Sequence, residues 1–163
     1  MNENISVSEL SDEDIPQLVR FYVELSRDVE KETRDIYFVN GEIDESPLDQ
    51  NLRKSLADSG TTTLMAKAGS KAVGFISGSV IPCFYPFSPI KHVGYISGAY
   101  VIPEFRRRGI MRTLEENLIK VFMDNGIGCV ELFMLSANKS ARKTWETLGY
   151  STFRESMRKI IRP

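Results

Sequence analysis

The order of apolar and polar residues divides the chain into alternating and helical stretches. Ile5 and Val7 alternate with polar neighbours, which predicts a strand near residues 3–9. Ile15, Leu18, Val19, Tyr22, Leu25 and Val29 recur at helical spacing, so a first helix is expected from about Asp12 to Asp28. Ser11 and Asp14 give a weak capping-box signal before it. Residues 30–45 are polar and aperiodic and read as a long loop or a broken helix. Pro47 to Asp58 reads as a second helix, with proline in its first turn and Gly60 beyond its end. Thr61–Lys67 and Ala72–Ile81 flank Gly69-Ser70 and predict a hairpin. His92 to Ile102 is uncharged on both faces and reads as a central strand covered on both sides. Strict alternation places Gly94, Ile96, Gly98 and Tyr100 on one face and Tyr95, Ser97, Ala99 and Val101 on the other.

Ile110, Leu114, Leu118, Val121 and Phe122 mark an amphipathic helix over Gly109–Asn125. Cys129–Leu135 reads as a buried strand and Asn138–Leu148 as a short helix stopped by Gly149. Tyr150–Ile161 reads as a last strand. The predicted order is β-α-α-β-β-β-α-β-α-β, a mixed α/β (α+β) fold in a single domain spanning 1–163. A strand-helix-strand crossover is expected at 92–135.

Charge changes this picture more than composition does. The net charge of the 163 residues is −1, yet residues 1–60 carry −9 and residues 61–163 carry +8. Such a split directs attention to charged ligands. Two cysteines, Cys83 and Cys129, and one histidine, His92, are too few for a Cys/His zinc site, so no metal is expected. A disulfide framework is not expected either, which favours a cytoplasmic setting. The opening residues lack the basic and apolar segments of a signal peptide. The uncharged run Ala72–Ile90 is broken by Pro82, Pro86 and Pro89 and reads as strand plus loop, so no membrane span is expected.

The chemistry concentrates at Val101-Ile102-Pro103-Glu104-Phe105-Arg106-Arg107-Arg108-Gly109-Ile110. Here a strand ends, three arginines and a glycine make a turn, and a helix begins. Free N–H groups at a helix start favour an anion, and arginine forks match phosphate. The segment therefore predicts a polyphosphate site, against the plainer reading of a solvated basic turn. It is not a Walker loop, because no Gly-Lys-Ser/Thr follows, and it lacks the glycines of a dinucleotide fingerprint.

The pattern Val101-x-Pro103-x-x-Arg106-x-x-Gly109-Ile110 resembles the pyrophosphate-binding signature of the GNAT family of N-acetyltransferases. A second family element looks present in Asn138-x-x-Ala141-x-x-x-Trp145-x-x-x-Gly149-Tyr150. The resemblance covers essentially the whole chain and implies a central mixed sheet flanked by helices. It implies acetyl-CoA as acyl donor, with Tyr100 and Val101 meeting the pantetheine arm through their backbone. It further implies Arg106, Arg107, Arg108, Gly109, Ile110, Met111 and Arg112 around the pyrophosphate, and Asn138, Arg142 and Trp145 along the rest of the cofactor. Asn138 also reads as a helix N-cap.

Three positions depart from the family pattern. Met111 stands where a small residue is usual, so its side chain is expected to turn into the core. Trp145 stands where tyrosine is frequent, and an indole is no acid near neutral pH. Ser97 or Gly98 stands where many members carry glutamate. The proton-moving group is therefore open among Glu131, Ser97, Tyr85, His92 and a water-mediated base. Glu131 is the candidate whose pKa burial would raise, weighed against a paired structural carboxylate.

The resemblance places the acceptor between residues 29–45, which hold Glu30, Glu32, Asp35, Glu42, Asp44 and Glu45, and residues 82–90, with Phe84, Tyr85 and Phe87. Acidic and aromatic character suits a cationic amine, against a plain solvated loop. Nucleic acid is not an expected partner. Family members are often dimers, so a homodimer is implied. The leading reading is an acetyl-CoA-dependent N-acetyltransferase acting on a small amine or a peptide or protein amine. The alternative is a coenzyme A-binding sensor with reduced or lost catalysis.

Overall fold

The computed structural model describes residues 4–39, 41–56 and 60–161. Five strands form one sheet in chain order: β1 (Ile5–Glu9), β2 (Thr61–Ala68), β3 (Lys71–Pro82), β4 (His92–Val101) and β5 (Val130–Leu132). The first four are antiparallel neighbours, and β5 lies parallel to β4. Helices α1 (Ile15–Thr33), α2 (Ser46–Leu56), α3 (Ile110–Asp124) and α4 (Lys139–Thr147) complete the molecule. α1 and α3 pack on the sheet, and a single core runs between them. Ile15, Leu18 and Phe21 of α1, Phe75 and Ile76 of β3, and Leu114, Leu118 and Phe122 of α3 are all essentially sealed from water. The parallel β4-α3-β5 crossover appears where the sequence pattern placed it.

Three expectations change. α1 runs five residues past Asp28, to Thr33, because Arg34 (φ +51°) supplies the left-handed cap that ends it. Residues 30–45 thus begin as helix and continue through a 3-10 turn at Ile36–Phe38. The last strand does not form: residues 150–161 carry no regular secondary structure and join no ladder. Their side chains hold them elsewhere. Phe153 packs on Phe84 at 6.1 Å, Arg154 stacks over Phe84 at 4.6 Å, and Arg158 forks onto the Asp35 carboxylate. The expected second helix also reached Asp58, and its residues 57–58 lie outside the described ones.

The alternation of β4 is broken as well. Gly98 pairs with Ser77 and Ile96 with Gly78, so Ser97 is one residue more than its partner strand supplies. It is a β-bulge, and Ser97 is exposed. A Cβ on Gly94 would strike Phe122 of α3, at 2.6 Å, whereas one on Gly98 would strike Tyr22 of α1, at 2.8 Å. Two residues of equal parity therefore face opposite layers. Tyr100 faces α1 as well, with its ring 5.8 Å from Phe21.

Candidate active site

β4 and β5 pair only at Gly94–Val130, Tyr95–Glu131 and Ile96–Leu132. From the bulge at Ser97 onward β4 keeps β3 on one side and has no strand on the other. The two parallel strands part there, and β4 offers the β5-facing backbone of residues 97–101 to a ligand. An extended, amide-bearing chain can pair with such an edge as a strand would.

Beyond Val101 the chain makes a 3-10 turn at Pro103–Phe105 and enters α3 through the arginines. Arg107 (φ +62°) and Gly109 (φ +80°) are both left-handed. Nothing in the chain would meet a Cβ at Gly109, so backbone conformation is what asks for glycine there. Gly109 is the N-cap and provides no side-chain cap, so the first-turn amides of Ile110, Met111 and Arg112 have no side chain closing them. Met111 packs against the core, away from that turn.

The arginines divide the work. Arg106 turns inward: its Nε donates to the Val101 carbonyl at 2.8 Å, and Nη2 to Asp28 Oδ2 at 2.6 Å. It also stacks on Tyr100 at 5.2 Å. Arg106 therefore fastens the strand end to α1. Arg108 lies over the Phe105 ring at 4.7 Å with its head exposed, and Arg107 is exposed too. Arg112 reaches the Thr147 carbonyl at the C-terminal end of α4, at 3.4 Å. Arg142 donates to Thr152 Oγ1 at 3.1 Å and pairs with Glu146 at 3.7 Å.

Asn138 caps α4, its Oδ1 accepting from the Ala141 N–H at 3.0 Å. The same helix start is tied to α1, because Glu32 accepts from the Ser140 N–H at 2.8 Å and from Ser140 Oγ at 2.6 Å. These bonds hold the Glu32 carboxyl below its ordinary value. Trp145 sits edge-on to Tyr150 at 5.3 Å.

Of the proton-moving candidates, Glu131 is buried at 9 % exposure, and among the described residues no side-chain hydrogen bond or ion pair holds its carboxylate. As the register partner of Tyr95, it projects from the same face of the sheet, opposite to Gly94 and α3. Ser97 Oγ donates weakly to the Ser77 carbonyl at 3.4 Å. Tyr85 lies in the β3–β4 loop, edge-on to Phe87 at 5.7 Å. That loop adjoins the start of β4, five residues and about 17 Å of strand from Ser97.

Sequence reading missed Tyr22, whose helical spacing marks it only as core. Its hydroxyl would be 2.8 Å from a Cβ on Gly98, so it lies directly against the bulge. It hydrogen-bonds Ser77, which shares a 2.8 Å bond with Thr63. Burial raises the phenol pKa, which keeps the proton on oxygen at neutral pH. The clue available in the sequence is a tyrosine among the aliphatic positions of the α1 stripe.

The acidic loop is partly occupied from within. Glu32 is held by Ser140, Asp35 by Arg158, and Asp44 caps the Ser46 N–H at 2.9 Å. Among the described residues no group of His, Cys, Asp and Glu could hold a metal ion, and no helix is long and apolar enough to cross a membrane.

Known proteins match this arrangement. A thialysine N-epsilon-acetyltransferase of Caenorhabditis elegans is 27% identical over 108 residues, 66% of this chain and 64% of that protein. This chain thus spans somewhat under two-thirds of that relative's length. An aminoglycoside 6'-N-acetyltransferase from Acinetobacter haemolyticus superposes with a TM-score of 0.77 at 14% identity, covering 97% of this chain and 99% of that one. A predicted acetyltransferase from Clostridium acetobutylicum, solved with acetyl-CoA, gives 0.77 at 17% identity and covers 96% of each chain. At these identities the two structures establish the fold. The acetyltransferase (GNAT) family model matches residues 26–150. That span takes in the parted strands, the basic turn and α4 together, and by it the chain belongs to the acetyltransferase (GNAT) family.

Proposed function

We propose that this chain is an acetyl-CoA-dependent N-acetyltransferase that passes the acetyl group directly to a primary amine. The acceptor is a small cationic amine or a peptide or protein amine. The supporting observation is the parting of β4 from β5 at Ser97, which frees a strand edge that leads to the uncapped, arginine-flanked start of α3. Acetyl-CoA is the family's acyl donor, and when bound it supplies an activated acyl carbon and a thiolate leaving group. The chain's residues fit that ligand. The edge of residues 97–101 suits the amides of the pantetheine arm, and the amides of 109–112 with Arg107, Arg108 and Arg112 suit a pyrophosphate. Met111, turned into the core, leaves the turn clear. Asn138 spends its Oδ1 on the helix cap and keeps its amide N–H₂ for a ligand.

In this reading the N–H groups beside the bulge polarise the thioester carbonyl. Glu131, whose carboxylate no other described side chain holds, takes the proton from the amine directly or through water. Tyr22, neutral and set against Gly98, is the donor on the leaving-group side. Ser97 then positions water at the open edge, and Tyr85 belongs to the acceptor wall with Phe84 and Phe87. Tyr85 and Phe87 are more than half exposed and offer faces to a cation, whereas Arg154 lies over Phe84, and Glu42 and Glu45 supply the charge that Asp35 and Glu32 spend internally. Two copies of the chain are proposed to pair.

The test is to incubate the protein with acetyl-CoA and a panel of polyamines, aminoglycosides, amino acids and peptides, following free thiol. Acetyl-CoA should raise Tm, and at least one amine should release thiol in excess of hydrolysis. Binding without turnover on any amine would favour a coenzyme A sensor. Absence of any acetyl-CoA-induced stabilisation would remove both readings.

A further inference from the structure

The segment after α4 crosses between the two walls that the acceptor would meet. Phe153 packs on Phe84 of the β3–β4 loop at 6.1 Å, and the Arg154 guanidinium lies 4.6 Å from the centre of the same ring. Four residues on, Arg158 reaches the α1–α2 loop. Its Nη1 donates to Asp35 Oδ1 at 3.0 Å and its Nη2 to Asp35 Oδ2, and its head lies 4.5 Å from the centre of the Tyr37 ring. The fork holds the Asp35 carboxyl below its ordinary value, so the carboxylate stays charged. A carboxylate beside an aromatic face is what a cationic acceptor would seek on these walls, and a cation of the chain itself is already there.

The seat is built without help from Arg158. Asp35 Oδ1 accepts from the Tyr37 N–H at 3.0 Å, and the Asp35 N–H donates to Thr33 Oγ1 at 3.2 Å. The loop's own bonds therefore set carboxylate and ring side by side, ready for a cation. The occupant is held less firmly. The Arg158 side chain is 37 % exposed, and an ion pair so open to water is weak. Residues 151–161 join no ladder, and Met157 beside Arg158 is 99 % exposed, so no apolar contact fastens the crossing there. A preformed seat thus carries a weakly held guest.

We propose that Arg158 is an intramolecular stand-in for the acceptor: it fills a cation seat made by Asp35 and Tyr37, and a cationic acceptor takes the seat by displacing it. Neutral ligands cannot compete for the carboxylate, so the strap selects for positive charge before any chemistry begins. A tethered competitor raises the apparent Kd by the inverse of the fraction of time the seat is free. A seat free about one-tenth of the time weakens binding about tenfold. The seat rests on the acceptor walls proposed above, whereas its occupation by Arg158 is independent of acetyl transfer.

Agmatine is a suitable probe, because its flat guanidinium reproduces the head of Arg158 and its primary amine is the kind of group to be acylated. Calorimetric titration of the full chain with agmatine, without acetyl-CoA, reads the seat directly. Arg158→Ala should bind agmatine at least tenfold more tightly than wild type. Lys159→Ala removes the same charge one residue on and should change affinity less than twofold. Asp35→Asn/Arg158→Ala should lose the gain. Equal affinity in wild type and Arg158→Ala, or binding by neither, would overturn the stand-in. A gain of the same size in Lys159→Ala would also overturn it, since net charge alone would then account for the effect. Tighter binding by Arg158→Ala with no thiol release on adding acetyl-CoA would uphold the seat while counting against transfer.

Discussion

Arg106 shows how a motif residue can belong to the frame of a site. Bonded to Val101, Asp28 and the Tyr100 ring, it holds the strand end that the ligand would read. Arg106→Ala should therefore lower Tm, whereas Arg107→Ala/Arg108→Ala should leave Tm intact, weaken acetyl-CoA binding and flatten its salt dependence. A titration of affinity at two ionic strengths separates these effects. Tyr22→Phe should reduce kcat by about tenfold or more while leaving KM for acetyl-CoA unchanged, because the ring stays and only the proton is lost. Asp14 offers a third test. Burial opposes its charge, but hydrogen bonds from Lys67 and Ser11 outweigh that and hold the carboxyl below the ordinary value. Its stabilisation is fully present above the unfolded-state pKa and is lost as pH falls through the lower folded value. Asp14→Asn should cost about 1–3 kcal/mol at neutral pH, and the gap to wild type should close progressively in acid unfolding curves.

At the scale of elements, periodicity located the central strand and its following helix because both bury a continuous apolar stripe. It could not show the bulge, since one extra residue leaves no mark in an uncharged strand. It could not show the fate of 150–161 either. Apolar and polar residues are mixed there as in a strand, and only the contacts with Phe84, Asp35 and Tyr37 decide that the segment stays apart. The basic turn was legible as a ligand site from residue chemistry alone. The separate duties of its arginines were not, because their partners Asp28 and Thr147 lie far away in sequence. The fit of α3 to the sheet is equally tight and equally hidden. Gly94 and Gly78 both make room for Phe122. Gly94→Ala drives a methyl into that ring and should cost about 1–3 kcal/mol, read as a fall in Tm or in the denaturant midpoint.

Across the whole molecule, the −9/+8 split sets a basic turn against an acidic loop. Basic residues collect at the start of α3, where an anionic donor would lie. Part of the acidic loop is drawn off by Ser140 and Arg158 to bind the molecule together. Raising ionic strength should thus weaken acetyl-CoA binding more than it weakens binding of an acceptor amine, which competitive titrations can measure. Charge placement along the chain could suggest opposite ligands, but it could not say which carboxylates are already taken. Ser97 carries a last consequence. It shifts the reading frame of β4 by one, so that the α1 and α3 layers each meet side chains cut to fit them. Deleting that single residue would set Ile96 and Gly98 in succession against Gly78 and Ser77, a regular ladder in which Gly98 and Tyr100 still face α1. The deletion should therefore spare the packing of both layers and remove the bend at which β4 parts from β5, read as a retained Tm with the acetyl-CoA-induced stabilisation lost.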